Sequence, residues 1–558
     1  MPEPRVPDAV IPAPDPTGSG AVDAATALWT ALAELGVREA VLAPGSRSAP
    51  LVYALASTPI AARIRAHVRI DERAAAFTAL GIGRHDPAHP AAVFTTSGTA
   101  TAHLLAAAME GHHSRIPLLL LTADRPAELR GTGANQTTVQ TGLFSPFVRF
   151  QADLPAPTAA AATDAELRTV VSTLARAHAA ATGEHPGPVH VNLGFRDPLT
   201  PRPEQAPAPG KRPSLVITRR LPAPAPAPQP VPVSSRTVVV AGDGAGPAAR
   251  ALAEEHDLPL LAEPNSGARG GDSLVVGYPA LLAEVMADPQ HPLRPERAIV
   301  LGHPTLSRPV LGGLLGAEDV EVIVVDRHSD FADAARRARL VVPAARGERV
   351  PDDGPSLRDA WQRAAAERTP ADGPTTWQAR AALTVWEASG AEDVLVLGSS
   401  SLVRDLDQHA GPTAARVLAN RGLAGIDGTV SLAGGLSLAR RDTPGRVRVL
   451  LGDLTALHDL TGQIIGPKEV RPDLDVIVVD DDGGRIFGGL EHAAAPPEVL
   501  RRFFTTPHGT DLAAAARALG AEAHRVDVDS LRTALVQPAQ GLRVLVVREG
   551  SVPDPRNT

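Results

Sequence analysis

The chain has 558 residues, with 54 Lys and Arg against 62 Asp and Glu, a net charge of −8 and no cysteine. The acidity argues against a nucleic-acid backbone as partner, and aromatic residues at 3% are too sparse for base-stacking platforms. Without thiols there are no disulfides, cysteine nucleophiles, iron–sulfur clusters or Cys-ligated zinc.

At about 150 residues per domain the length predicts three or four domains. Residues 1–20 read as a disordered Pro-rich tail, with no basic region before an apolar core and hence no secretory signal. In the first body, 21–197, Val22, Ala25, Leu28, Leu32 and Leu35 recur at helical spacing, and Gly36 predicts the stop. Strand-like runs follow at EAVLAPG (39–45), AAVFTTSG (91–98), PLLLLTADRP (117–126) and PVHVNL (188–193). A Pro-rich stretch, 198–235, reads as an extended linker. The middle body, 236–345, opens with TVVVAGDGAG and continues with AIVLGHP and VEVIVVD. A connecting segment, 346–375, holds a short helical piece. The last body, 376–558, offers DVLVLGSSS, RVRVLLGDLT, LDVIVVDDDGG and LRVLVVREG. Near-continuous Val/Leu/Ile strands alternating with helices predict three doubly wound α/β domains with parallel sheets. No apolar run reaches the ~18 residues that span a bilayer, so a soluble cytoplasmic protein without a membrane span is expected.

In such sheets ligands bind beyond the carboxyl ends of the strands. The two lysines, Lys211 and Lys468, lie in Pro- and Gly-rich stretches, which leaves neither a Schiff-base amine nor a GK[ST] phosphate loop. Gly452-Asp453-Leu454 closes one strand of the last body, and Asp480-Asp481-Asp482-Gly483-Gly484 closes another. Two acidic turns at adjacent strand ends can converge on a hard cation that keeps phosphate oxygens as partners, although Asp also simply caps helices. In the first body, PGSRSAPL (44–51) ends a strand with hydroxyl and Arg groups. Glu72 opens an Ala-rich helix, where an acid also suits the helix dipole, and TADRPAELRGTGANQT (122–137) is a long polar loop. Gly242–Gly246 echoes a dinucleotide fingerprint but has Pro247 at the final glycine, and reads as a tight strand–helix turn.

Six ordered blocks carry a resemblance: APGSRSAPL, HVRIDERAAAF, TTSGTATA, LTADRPAELRGTGANQT, NRGLAGIDGTVS and GDLTALHD. Together they resemble the 2-succinyl-5-enolpyruvyl-6-hydroxy-3-cyclohexene-1-carboxylate synthase family, thiamine-diphosphate enzymes of menaquinone biosynthesis. The resemblance implies a pyrimidine-binding first domain, a middle domain without catalytic residues and a diphosphate-binding last domain. It implies active sites shared between subunits of a homodimer or a dimer of dimers. The implied reaction is decarboxylation of 2-oxoglutarate and addition of the remainder to isochorismate, with thiamine diphosphate and Mg²⁺ or Mn²⁺. Glu72 would hydrogen-bond the cofactor's aminopyrimidine, in an apolar pocket, and Ile426 would bend the cofactor. Gly452, Asp453, Leu454, Asp481, Gly483 and Gly484 would hold its diphosphate, with Asp453, Asp481 and the Gly483 carbonyl on the metal.

Both implied substrates are dicarboxylates, which suits arginine. The matching positions are Arg47, Arg404 and Arg421, with Ser46, Arg125, Asn135, Gln136 and Ser400 around them and Arg308 near a basic position of the family. The chain departs from the family in having three Asp at 480–482 where Asn is usual, which implies a tighter dependence on free Mg²⁺. The alternatives are another thiamine-diphosphate enzyme (acetohydroxyacid synthase or decarboxylase type), a dinucleotide-dependent oxidoreductase, or a relative that has lost its chemistry. The PGSRSAP and RGTGANQT blocks favour the menaquinone family.

Overall fold

Every residue of the strands Leu118–Asp124 and Leu474–Val479 is buried, as strands covered on both faces require. Runs of this kind build three parallel sheets in a computed structural model that describes residues 10–208, 210, 212–351, 354–368 and 373–550. The first nine residues of the expected tail, and Lys211, lie outside the described residues.

The first sheet has six strands in the order Arg65–Val68, Glu39–Leu42, Ala92–Thr95, Leu118–Asp124, Pro188–Gly194, Gln151–Leu154. The second has five, Leu260–Ala262, Thr237–Ala241, Arg297–Leu301, Glu321–Val325 and Ala338–Val342. The third has six, Arg416–Ala419, Val394–Leu397, Val447–Gly452, Leu474–Val479, Leu542–Val547 and Glu522–Val526. All three are doubly wound, as the alternating strand and helix pattern predicts. Gly36, at φ 101°, ends the helix Gly20–Glu34, and Gly246, at φ 66°, heads the helix Pro247–Glu255. The Gly242–Gly246 turn is thus a strand–helix connection. Among the described residues no helix is long and apolar enough to cross a membrane.

Two segments differ from their sequence reading. Residues 10–20 are ordered: Val10–Pro12 pairs antiparallel with Ser214–Val216, and Ser19 caps the helix Gly20–Glu34 by accepting from the Val22 amide. The expected linker also supplies Gln229–Val233, which pairs with Ala345–Arg349. Leu215 and Ile217, and Val231 and Val233, are buried at every second position, a strand period that the surrounding prolines mask.

The chain divides into two compact units. One takes the chain up to Ala223 together with Asp427–Asp442 and Asp459–Pro472; the other takes Pro224–Ile426, Thr443–His458 and the chain from Asp473 onward. Two segments of the expected last domain therefore belong with the first sheet. The reason is a helix pair within the first unit, Glu72–His85 against Thr429–Ala439. A Cβ on Gly81 would lie 2.1 Å from the Leu432 carbonyl oxygen, and one on Gly435 would lie 2.0 Å from that of Thr78. The two backbones touch, and no side chain fits between them.

Gly81→Ala should therefore destabilise the protein by at least about 1–3 kcal/mol, since a backbone cannot swing aside as a side chain can. Gly312→Ala, with nothing within 4 Å of the added carbon, should cost far less. Urea unfolding of both variants checks the difference, and equal midpoints would refute the close contact.

Candidate functional site

In the first unit, Asp71 caps the helix Glu72–His85. Its Oδ1 accepts from the amides of Arg73 (2.8 Å) and Ala74 (3.4 Å), and its Oδ2 accepts from the Thr461 hydroxyl (2.7 Å). Burial opposes ionisation here, but the Thr461 hydroxyl and the two amides outweigh it and hold the Asp71 carboxyl below its ordinary value. Glu72 is consequently fixed as the first helical residue. It is half-buried in the single chain. Nearby, the fully buried Asp459 accepts from the amide (2.7 Å) and hydroxyl (3.0 Å) of Ser431, on the helix Thr429–Ala439. Burial pushes its carboxyl up to about 6.

At the carboxyl ends of the first sheet, Arg47 and Arg125 come close enough to feel each other's charge. Burial first, and Arg125 next, lower the pKa of Arg47. Arg47 donates to the Phe195 carbonyl (3.0 Å) and lies 3.7 Å from Asp197. Arg125 donates through Nε (3.2 Å) and Nη2 (2.8 Å) to the Asn135 carbonyl. Gln136, at φ 58°, donates from its side chain to the Ser97 carbonyl (2.9 Å) and accepts at its own carbonyl from the Ser97 hydroxyl (2.8 Å). Ser46, Asn135 and Gln136 are exposed. Arg47, Arg125, Asn135 and Gln136 thus form one polar rim with Ser46 beside it in the chain.

A second basic group lies in the other unit. Burial lowers the pKa of Arg404, and the charges of Arg421 and Arg308 lower it further, so three cations converge. Arg421, 5% exposed, donates from Nε to the Thr305 hydroxyl (2.8 Å) and from Nη2 to the Thr305 carbonyl (3.3 Å). Arg404 donates to the carbonyl of Ser400 (3.1 Å), whose hydroxyl caps the helix Ser401–His409. Arg308 is exposed at the start of the turn Pro309–Leu314. Gathering cations in this way is unfavourable without an anion, and it suits a substrate with carboxylates.

The acidic turns meet in the same unit. Asp453, 2% exposed, accepts from the amides of Gly483 (2.7 Å) and Leu454 (2.6 Å) and lies 3.2 Å from His508 Nε2. Burial raises its pKa. Burial, then the Asp453 charge, push Asp481 up to about 6. Asp481 accepts from Gln378 (3.2 Å) and faces Arg485 (3.4 Å). Asp482 is exposed and accepts from the amides of His508 and Gly509. Gly483 sits at φ 138°, where a Cβ would be 2.2 Å from the Thr505 carbonyl oxygen, so glycine is required. Asp453, Asp480 and His508 bring ligand atoms within 4.8 Å of one another. Two buried carboxylates held close, with an imidazole beside them, fit a divalent cation, whose charge would relieve the repulsion that raises Asp481. Asp453 is common to this grouping and to the expected set of Asp453, Asp481 and the Gly483 carbonyl, and Asp481 stands beside it, facing Gln378 and Arg485. An open cleft beside the turn is lined by Gln378, Asp481, Gly483, Arg485 and Arg501. Ile426, Gly452 and Leu454 are half-buried, and Gly484 donates its amide to Thr505 (2.7 Å).

Sequence reasoning did not single out Asp71, Thr461, Thr305, Gln378 or His508 as functional. Only Asp71 has a readable signal, an Asp just before an Ala-rich helix; the others lie far along the chain from the groups they touch.

Residues 22–143 match the family model for the thiamine pyrophosphate enzyme, N-terminal TPP binding domain. A 2-succinyl-5-enolpyruvyl-6-hydroxy-3-cyclohexene-1-carboxylate synthase of Kineococcus radiotolerans is 45% identical, the match covering 93% of this chain and 94% of that protein. Proteins of the same name from Thermobifida fusca (42%, 93% and 94%) and Mycobacterium marinum (40%, 92% and 94%) are also similar. Among solved structures, benzoylformate decarboxylase from Polynucleobacter necessarius shares the fold. Its TM-score is 0.67 at 17% identity, over 95% of this chain and 99% of that one.

Asp459 generates a pH prediction. Its folded pKa of about 6 lies above the ordinary 3.8, so its stability contribution is fully present below about pH 4 and is lost as pH rises through about 6. Asp459→Asn removes that titration. Relative to the parent, the variant should gain roughly 2–3 kcal/mol of unfolding free energy between pH 4 and pH 7. Urea titrations at the two pH values measure this, and a constant difference would refute it.

Proposed function

The chain belongs to the 2-succinyl-5-enolpyruvyl-6-hydroxy-3-cyclohexene-1-carboxylate synthase family, thiamine-diphosphate-dependent enzymes of menaquinone biosynthesis that form a C–C bond, and on that premise we propose roles for its residues. The enzyme decarboxylates 2-oxoglutarate and joins the remaining four-carbon unit to isochorismate. When bound, thiamine diphosphate supplies the electron sink that lets a 2-oxo acid lose CO₂ and its former carbonyl carbon act as a nucleophile. The acetohydroxyacid synthase, oxidoreductase and non-catalytic readings are not favoured, given relatives 40–45% identical over more than nine-tenths of the chain.

Glu72, a helix-start carboxylate fixed by Asp71, would hold the aminopyrimidine of the cofactor and exchange a proton with it. Asp453 with Asp480, Asp481 and His508 would hold a Mg²⁺ or Mn²⁺ ion, whose charge would favour binding of the diphosphate. Gly483 and Gly484 keep the backbone close at that turn. Ile426 would support the cofactor. Arg404, Arg421 and Arg308 bind substrate carboxylate, with Ser400 beside them, and Arg47, Arg125, Asn135, Gln136 and Ser46 supply a second polar rim. The observation that carries this reading is the convergence of Arg308, Arg404 and Arg421 in a chain of net charge −8. We read the working form as a homodimer or pair of dimers. Glu72 is half-buried in one copy, and Ile70 (70%) and Val470 (49%) expose apolar surface in the same unit, so a second copy would supply the missing cover. We place the enzyme in the cytoplasm, where small soluble acids of this kind are handled.

Incubation with 2-oxoglutarate, isochorismate, thiamine diphosphate and Mg²⁺ should consume isochorismate and release CO₂ only when both additives are present. Glu72→Gln should stay folded yet lose most of this activity. Arg421→Ala should weaken substrate capture by about 1–3 kcal/mol with cofactor affinity retained. An equal loss of cofactor affinity would misplace Arg421. Asp481→Asn should shift the Mg²⁺ concentration needed for half activity, and an unchanged requirement would remove Asp481 from the metal's surroundings.

A further inference from the structure

The segment His303–Arg308 leaves the second sheet and reaches the basic group. On one side it is held by Gly242–Asp243: the Asp243 amide donates to the His303 carbonyl (3.1 Å), and the His303 amide donates back (2.9 Å). A Cβ on Gly242 would lie 2.0 Å from the Pro304 nitrogen, so that contact exists only because residue 242 is glycine. Leu306, 5% exposed, packs with Leu395, Val403 and Trp386. The remaining fixture is Glu263, just past the strand Leu260–Ala262. Its Oε1 accepts from both the Thr305 amide (2.6 Å) and the Leu306 amide (2.7 Å). Thr305 in turn accepts both hydrogen bonds from Arg421 described above.

We propose that Glu263 is a positioning residue of the middle domain that acts through Thr305 to set Arg421, and with it the carboxylate-binding arginines, in the geometry substrate requires. This rests on the functional reading of the basic group. Glu263 is 1% exposed and so has no surface role, and the groups whose charge it feels are Asp407 and Arg421. Burial, then Asp407, raise its carboxyl to about 8, so at neutral pH it keeps its proton while Oε1 still accepts the two amides. Glutamine can do the same. Alanine cannot, and would leave two buried N–H groups without an acceptor.

The test compares Glu263→Gln, Glu263→Ala and Thr305→Val in the full chain with thiamine diphosphate and Mg²⁺. Glu263→Ala and Thr305→Val should each raise KM for 2-oxoglutarate about tenfold, with kcat and the cofactor's Kd within about twofold of the parent. Glu263→Gln should restore the parent KM. Glu263→Ala placed on Arg421→Ala should add little, because both break one chain of contacts. If Glu263→Ala does not fold, Thr305→Val decides alone. An unchanged KM in Thr305→Val, a glutamine variant as defective as alanine, or a double variant whose losses multiply would each overturn the proposal. Absence of turnover by the parent chain would instead overturn the functional reading. Calorimetric titration of 2-oxoglutarate into the parent and variant chains then still tests whether Glu263 and Thr305 set the carboxylate site.

Discussion

Two helices whose backbones touch organise the first unit. The contact of Glu72–His85 with Thr429–Ala439 requires Gly81 and Gly435 to lack side chains, and it is one that only two glycines facing backbone can make. Its consequence is positional. Once the second helix is seated, Ser431 holds the buried Asp459, and Thr461 two residues later reaches Asp71 at the start of the first helix. A carboxylate at the first position of a helix normally drifts with the fraying of that end. Here the N-cap is tied to a segment almost four hundred residues away, so Glu72 inherits the rigidity of a packed core.

Charge in the other unit is only partly sorted by sign: Asp407 and Asp405, on the helix that carries Arg404, offset part of the push from Arg421 and Arg308. Arginines 308, 404 and 421 lie close enough to depress Arg404, while Asp453 and Asp481 lie close enough to raise Asp481. Some bridging is present: Arg485 donates to Ser401 and Asp405 on the helix that carries Arg404, and it also faces Asp481. That arginine ties the acidic turn to the helix that carries Arg404.

The strands, the sheet count and the strand–helix turns were legible because fully buried parallel strands leave near-continuous apolar runs, as in PLLLLTADRP and LDVIVVDDDGG. In the linker, proline composition hides a two-residue period at Leu215 and Ile217 and at Val231 and Val233. Arg421 and Asp453 stand out in the sequence because they lie in ordered blocks, NRGLAGIDGTVS and GDLTALHD. Thr305, Thr461 and His508 do not, because each acts through a contact across the fold and sits in a segment with no periodicity or spacing of its own. The assignment of Asp427–Asp442 and Asp459–Pro472 to the first unit was illegible for a related reason: only the glycine pairing across two helices, far apart in sequence, selects it.

The second sheet sends two segments, at Glu263 and at His303–Arg308, toward the basic group. Its contribution is mechanical. A strand end that presents Glu263 to two successive amides converts a loop into a fixed strut, and the strut carries Thr305 to Arg421. Arginine needs such support more than lysine does, because its bidentate grip on a carboxylate is planar and tolerates little rotation. A buried carboxyl that keeps its proton suits the task. It accepts both amides without adding a full negative charge beside the arginine, which would otherwise compete with the substrate for that cation.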